Sequence, residues 1–176
     1  ALTNTNVWRE GSAYDANVTS GVIDIYTDKQ KYNLWAIGNV SQLITTDSVN
    51  LGHNYILGLE KSAGNLIAGV NFTEIGENYD PNDLGFNTTT NIRNLKAFRR
   101  YNIYKPFWRF YRFWSSASFQ YVSIVNPSVY SSMSIDASVG GSFRNFLAAG
   151  IDLYLEPKRP HDYFEPRIDG RFYEGD

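Results

Sequence analysis

The sequence predicts an all-β fold. It reads as an antiparallel up-and-down transmembrane β-barrel or a segment of one, with about eight to nine strands in a single unit over residues 1–176. Three observations predict it. First, period two dominates the chain, most clearly over 132–155, where a small and polar face stands opposite an apolar one. Second, the chain is poor in charge and rich in rings: 19% charged and 16% aromatic, 13 Tyr, 11 Phe and 4 Trp. Soluble domains carry about a quarter charged residues. Third, nothing helical competes. No amphipathic helix, heptad or low-complexity tract is present, and no run of about 18 apolar residues exists.

The elements follow in order. Tyr32, Leu34, Ala36, Gly38 and Val40 share one face of a strand, with Asn33, Trp35, Ile37, Asn39 and Ser41 on the other. Tyr55, Leu57 and Leu59 alternate with Asn54, Ile56, Gly58 and Glu60. Residues Lys61 to Asn65 make a Gly/Asn turn, and Leu66, Ala68, Val70 and Phe72 alternate with Ile67, Gly69, Asn71 and Thr73. This is a hairpin. The stretch Asn91 to Arg100, with Arg93, Lys96, Arg99 and Arg100, reads as a basic surface loop. Met133, Ile135, Ala137 and Val139 form an apolar face opposite Ser132, Ser134, Asp136, Ser138 and Gly140. Gly141 to Asn145 turn the chain, and Leu147, Ala149, Ile151, Leu153 and Leu155 continue the apolar face. A soluble sandwich also alternates in this way, so a soluble β-sandwich or lipocalin-like binder of a small ligand stands as the alternative.

Six rings fall in eight residues at Phe107, Trp108, Phe110, Tyr111, Phe113 and Trp114. Rings at one end of a strand suit a membrane interface, where an apolar ring body and a polar tip each find a medium. Core packing with cation–π contacts from Arg109 and Arg112 is the competing explanation.

Composition excludes much chemistry. There is no Cys, so disulfides, thiolate nucleophiles and thiolate metal sites are excluded, and only His53 and His161 could supply imidazole. The formal net charge of −2 gives no basic excess for nucleic acid. Ala1 to Asn4 lack the basic and apolar regions of a signal peptide. Asp80, Asn82 and Asp83 form a candidate calcium loop, with Glu77 just upstream. A turn with Pro81 setting φ and Gly85 allowing a positive φ competes with it, and then the acidic groups are held by backbone amides or Arg. Asp162 and Glu165, with Asp152 and Glu156 upstream, could be a carboxylate pair for glycoside hydrolysis, the carbohydrate-active-enzyme alternative. Ion pairing of Glu165 with Arg159 and Arg167 is the simpler reading. His161 beside Asp162 has the form of a base and its orienter, without a nucleophile to serve. Four Asn-X-Ser/Thr patterns, at Asn17, Asn39, Asn71 and Asn87, read as coincidence, two of them inside predicted strands.

Four segments carry a resemblance: Asn6-Val7-Trp8-Arg9-Glu10-Gly11-Ser12 followed by Asp15-Ala16-Asn17-Val18; Tyr79-Asp80-Pro81-Asn82-Asp83-Leu84-Gly85-Phe86; Tyr104-Lys105-Pro106; and Asp162-Tyr163-Phe164-Glu165-Pro166-Arg167 with Gly170-Arg171. In this order they resemble a Bacteroidetes-type outer-membrane β-barrel family of unknown function, whose barrel usually follows a carbohydrate-binding module resembling family nine. The family's barrel is several times longer than a single small barrel, so the resemblance implies an interior piece of a larger one. It implies a non-enzymatic role in the bacterial outer membrane as a channel, an anchor for the carbohydrate-binding module or an envelope-complex subunit. The partners it implies are the lipid bilayer and lipopolysaccharide, the remaining strands of the barrel or other envelope proteins, and carbohydrate. No cofactor and no nucleic acid are expected.

Overall fold

The computed structural model describes residues 1–7, 14–81, 89–163 and 171–175. Nine strands form one sheet: β1 Leu2–Val7, β2 Tyr14–Tyr26, β3 Tyr32–Thr45, β4 Val49–Lys61, β5 Leu66–Ile75, β6 Ile92–Ile103, β7 Phe110–Ile124, β8 Val129–Phe143 and β9 Ala148–Lys158. Each pairs antiparallel with the next in chain order, so the topology is a pure up-and-down meander. A short pair, β10 His161–Asp162 and β11 Tyr173–Glu174, forms a separate two-stranded sheet against β8, where the Ser131 hydroxyl donates to the His161 carbonyl at 3.1 Å. β1 and β9 lie at opposite margins and do not pair with each other.

Period two explains the pairing. Cross-strand partners share a face, and a slip of one residue would move each apolar set to the polar side. The predicted hairpins are present. β4 and β5 are joined through Ser62–Asn65, where Gly64 takes φ +89°, a left-handed conformation open to Gly at little cost. In β8–β9, Ile135 faces Leu155, Ala137 faces Leu153, Val139 faces Ile151 and Gly141 faces Ala149. Met133 meets Lys158 across a bulge, and Leu147 lies just before β9. The turn falls later than Gly141–Asn145 suggests, because β8 runs on to Phe143 and the connection is 144–147.

One expectation is corrected. Asn91 to Arg100 is not a surface loop. Arg93, Lys96, Arg99 and Arg100 all lie on β6, paired on both sides, and only Asn91, at φ +57°, belongs to the preceding turn. The Asn91 side chain donates to the carbonyl of Asn126 at 2.6 Å and accepts from its amide at 2.8 Å, which ties β6 to the β7–β8 turn.

The connections differ between the two ends. Positions 76–91 join β5 to β6, while every other connection in the sheet has three to six residues. We call the end with 76–91 the long-loop end and the opposite one the short-turn end. Among the described residues only Ala16, Tyr79 and Ile124 are buried hydrophobics. The sheet therefore has no apolar core of its own.

Candidate functional site

One face of the sheet is apolar across its width. Ile25, Leu34, Leu59, Val70, Ala97, Phe119, Ile135 and Leu155 are successive register partners and form one unbroken row across eight strands. Most of these positions are open rather than packed: Leu59 is 54% exposed, Ile25 52% and Leu34 48%. Monomeric soluble proteins rarely expose contiguous apolar surface on this scale.

The apolar runs do not follow the register. On β3 the run from Tyr32 to Val40 centres on Ala36; beside β9 the run from Leu147 to Leu155 centres on Ile151. Traced strand by strand, Ala36 aligns with Leu57, Phe72, Leu95, Tyr121, Met133 and finally Lys158. Ile151 is seven residues from Lys158, one of them contributed by the bulge between Met133 and Ile135. At about 3.3 Å per residue along a strand and about 4.8 Å per strand step, the band is inclined by roughly 35–39° over six steps. Strands in closed barrels tilt by about 35–45° from the axis.

Aromatic residues border the band at the short-turn end. Phe107 and Phe110 exchange backbone hydrogen bonds and stack at 5.6 Å. Phe110 stacks on Phe143 at 4.8 Å and meets Phe113 edge-on at 5.9 Å. Trp108 caps the turn at φ +45° and is 72% exposed, and Tyr111 is exposed beside Phe146. Trp114 departs from the predicted group. Its pairing with Gly140 puts it on the polar face, where it lies over that glycine.

A second margin, not anticipated from the sequence, lies toward the long-loop end. Tyr55, Tyr121 and Tyr130 stand there with an ion-paired cluster: Glu74 accepts from Arg93 Nε at 2.7 Å and sits 3.2 Å from His53 Nε2. His53 stacks on Tyr55 at 4.8 Å. Charged residues in phase with the apolar positions of β5 and β6 were the available signal.

The polar face carries Asn, Ser, Lys, Arg and Asp. Ser118 donates to Asp136 at 3.0 Å and the hydroxyls of Ser116 and Ser138 are 2.8 Å apart. Ser116, Ser118 and Asp136, with Asn71, Lys96 and Arg100, line a hollow of about 370 Å³. Large rings on this face lie over glycines: Trp35 over Gly58, Phe98 over Gly69 and Trp114 over Gly140. At the long-loop end, residues 76–81 fold back over it. A side chain at Gly52 would meet the Asn78 carbonyl oxygen at 2.2 Å, and the Asp80 amide donates to buried Ser41 at 3.0 Å. Burial of Tyr79 pushes its phenol pKa up.

Of the candidate calcium ligands, Asp80 lies in this folded-back segment; Asn82 and Asp83 fall outside the described residues, as do Gly85, Glu165 and Arg167. Among the described residues the partner of Glu77 is the side-chain amide of Asn126 at 2.9 Å, rather than a backbone amide or Arg. Among the described residues no group of three or more His, Asp or Glu side chains could hold a metal ion. Asp152 and Glu156 are exposed positions on one strand, four residues apart. His161 stacks on Phe172 at 4.1 Å with its Nδ1 3.4 Å from the Tyr163 hydroxyl, and Arg159 pairs with Glu174 at 3.8 Å. Asn17, Asn39 and Asn71 all lie within strands, and Asn87 is outside the described residues.

Comparison with protein families matches the whole chain, residues 1–176, to a domain of unknown function, DUF5916, and the chain belongs to that family. No curated protein and no solved structure matches it.

Proposed function

We propose that this DUF5916 chain is a length of wall of a larger outer-membrane β-barrel in a non-enzymatic role. It would serve as a channel, as the anchor of a carbohydrate-binding module, or as an envelope-complex subunit. The observation that carries the reading is the oblique apolar band. A band inclined to the register by the tilt of a barrel strand is what a flat hydrocarbon slab imposes on a tilted wall. A soluble sandwich has no reason to produce it, since its apolar face is covered by a second sheet. The polar face, with its folded-back segment at 76–81, then lines the lumen. The unpaired margins at β1 and β9 call for further strands, because open edges are not tolerated in hydrocarbon. Within this reading the bacterial, Bacteroidetes-type setting and the neighbouring carbohydrate-binding module follow from the motif resemblance alone.

Cell fractionation of the source bacterium tests this directly. The protein should pellet with outer membranes, resist extraction by salt or alkaline carbonate, and need detergent to stay monodisperse. Monomeric folding of the purified chain in plain buffer would overturn the proposal and promote the soluble binder.

A further inference from the structure

We propose that the short-turn end of β6–β9 docks the phosphate headgroup of an anionic glycerophospholipid, so that this end faces a phospholipid leaflet. The inference rests on the membrane reading above and adds to it an orientation and a ligand. Two turns build the site. The amide of Arg144, in 144–147, donates to the carbonyl of Arg109, in 104–109, at 3.0 Å, which fixes the two turns side by side. Between them lies a hollow of about 530 Å³ lined by Trp108, Arg109, Phe143, Arg144, Asn145 and Leu147. Arg109 sits 5.5 Å from the Trp108 ring, and neither Arg109 nor Arg144 has an acidic partner among the described residues. Two unpaired guanidiniums over walls of Phe143, Leu147 and Trp108 suit a phosphate diester above its acyl chains. Guanidinium binds phosphate oxygens in a fork, and indole favours the headgroup level.

Charge around the site points the same way. The connections at this end carry Lys29, Lys31, Lys105, Arg109 and Arg144 against Asp28, a formal +4. Those between strands at the other end carry, among the described residues, Asp47, Glu77 and Asp80, a formal −3. Basic clusters beside an apolar band are drawn to anionic lipid surfaces, whereas the acidic end is repelled by them. Short turns also mark the periplasmic side of barrels, the phospholipid leaflet of an outer membrane. That favours glycerophospholipid over the phosphates of lipid A.

The experiment titrates the detergent-purified protein with phosphatidylglycerol, phosphatidylcholine, lipid A and inorganic phosphate, following Trp fluorescence. Phosphatidylglycerol should bind on the order of tenfold more tightly than phosphatidylcholine, as expected for two exposed cations. The double variant Arg109→Gln/Arg144→Gln should abolish the preference while inserting normally into phosphatidylcholine vesicles. Arg159→Gln, at the other end, should keep the preference. Equal binding of the two phospholipids, retention of the preference by the double variant, or tighter binding of lipid A or inorganic phosphate than of phosphatidylglycerol would each overturn the assignment. Failure to insert into any vesicle would instead sink the membrane reading.

Discussion

Gly58 and Gly38 occupy adjacent strands but opposite faces, and their surroundings set opposite demands. A methyl group at Gly58 would fall 2.0 Å from the Trp35 ring, whereas at Gly38 it would meet Tyr55 at an ordinary 3.8 Å. Gly58→Ala should therefore destabilise the protein by about 1–3 kcal/mol, the cost of overpacking a filled site. Gly38→Ala should be neutral or stabilise by about 0.4–1 kcal/mol through the unfolded chain. Urea midpoints of the detergent-refolded variants check both values. Equal midpoints would mean that Trp35 does not rest on Gly58. Trp114 shows what sequence conceals at this scale. It closes a run of rings and looks like one of them, but the density of rings masks its phase with Ser116, Ser118 and Gln120, the face that its pairing with Gly140 across β7–β8 gives it.

At the scale of elements, legibility followed the purity of the alternation. The β8–β9 hairpin was readable because Ser134, Asp136 and Ser138 alternate without exception with Ile135, Ala137 and Val139. β6 was not, because charge falls on both faces: Arg93 and Arg99 beside Leu95 and Ala97, Lys96 and Arg100 opposite. The amphipathic signal cancels there, and only the pairing with β5 and β7 reveals a strand. β1 was obscured differently. Asn4 and Asn6 take the phase of Leu2 but pair with the polar Thr19 and Asn17 of β2, to which they hydrogen-bond, so no apolar alternation marks the strand. The hairpin also yields a test of the faces. Ile151→Arg should cost about 2–4 kcal/mol if that face meets hydrocarbon, and Ser138→Arg should cost much less if the opposite face is wet. Folding yields into vesicles, compared between the two variants, give the answer. Equal tolerance would contradict the assignment of faces.

At the scale of the whole molecule, the sequence carried the fold class and one margin of the apolar band, because both reside in single strands. The inclination of the band was hidden, since it exists only relative to the pairing of one strand with the next. The folded-back segment at 76–81 was hidden for the same reason: Gly52 and Ser41 are distant in sequence from the residues they receive. The inclination can be measured directly. The chain contains no cysteine, so single-cysteine spin labels can be placed without background. Labels along β3 to β9 in vesicles, scored for contact with oxygen against a water-soluble relaxant, locate the bilayer midplane on each strand. An inclined band puts the midplane near Ala36 on β3 and Ile151 on β9, drifting by about one residue per strand. Maxima that instead follow the register from Ala36 to Lys158, or labels on both faces equally open to water, would contradict it.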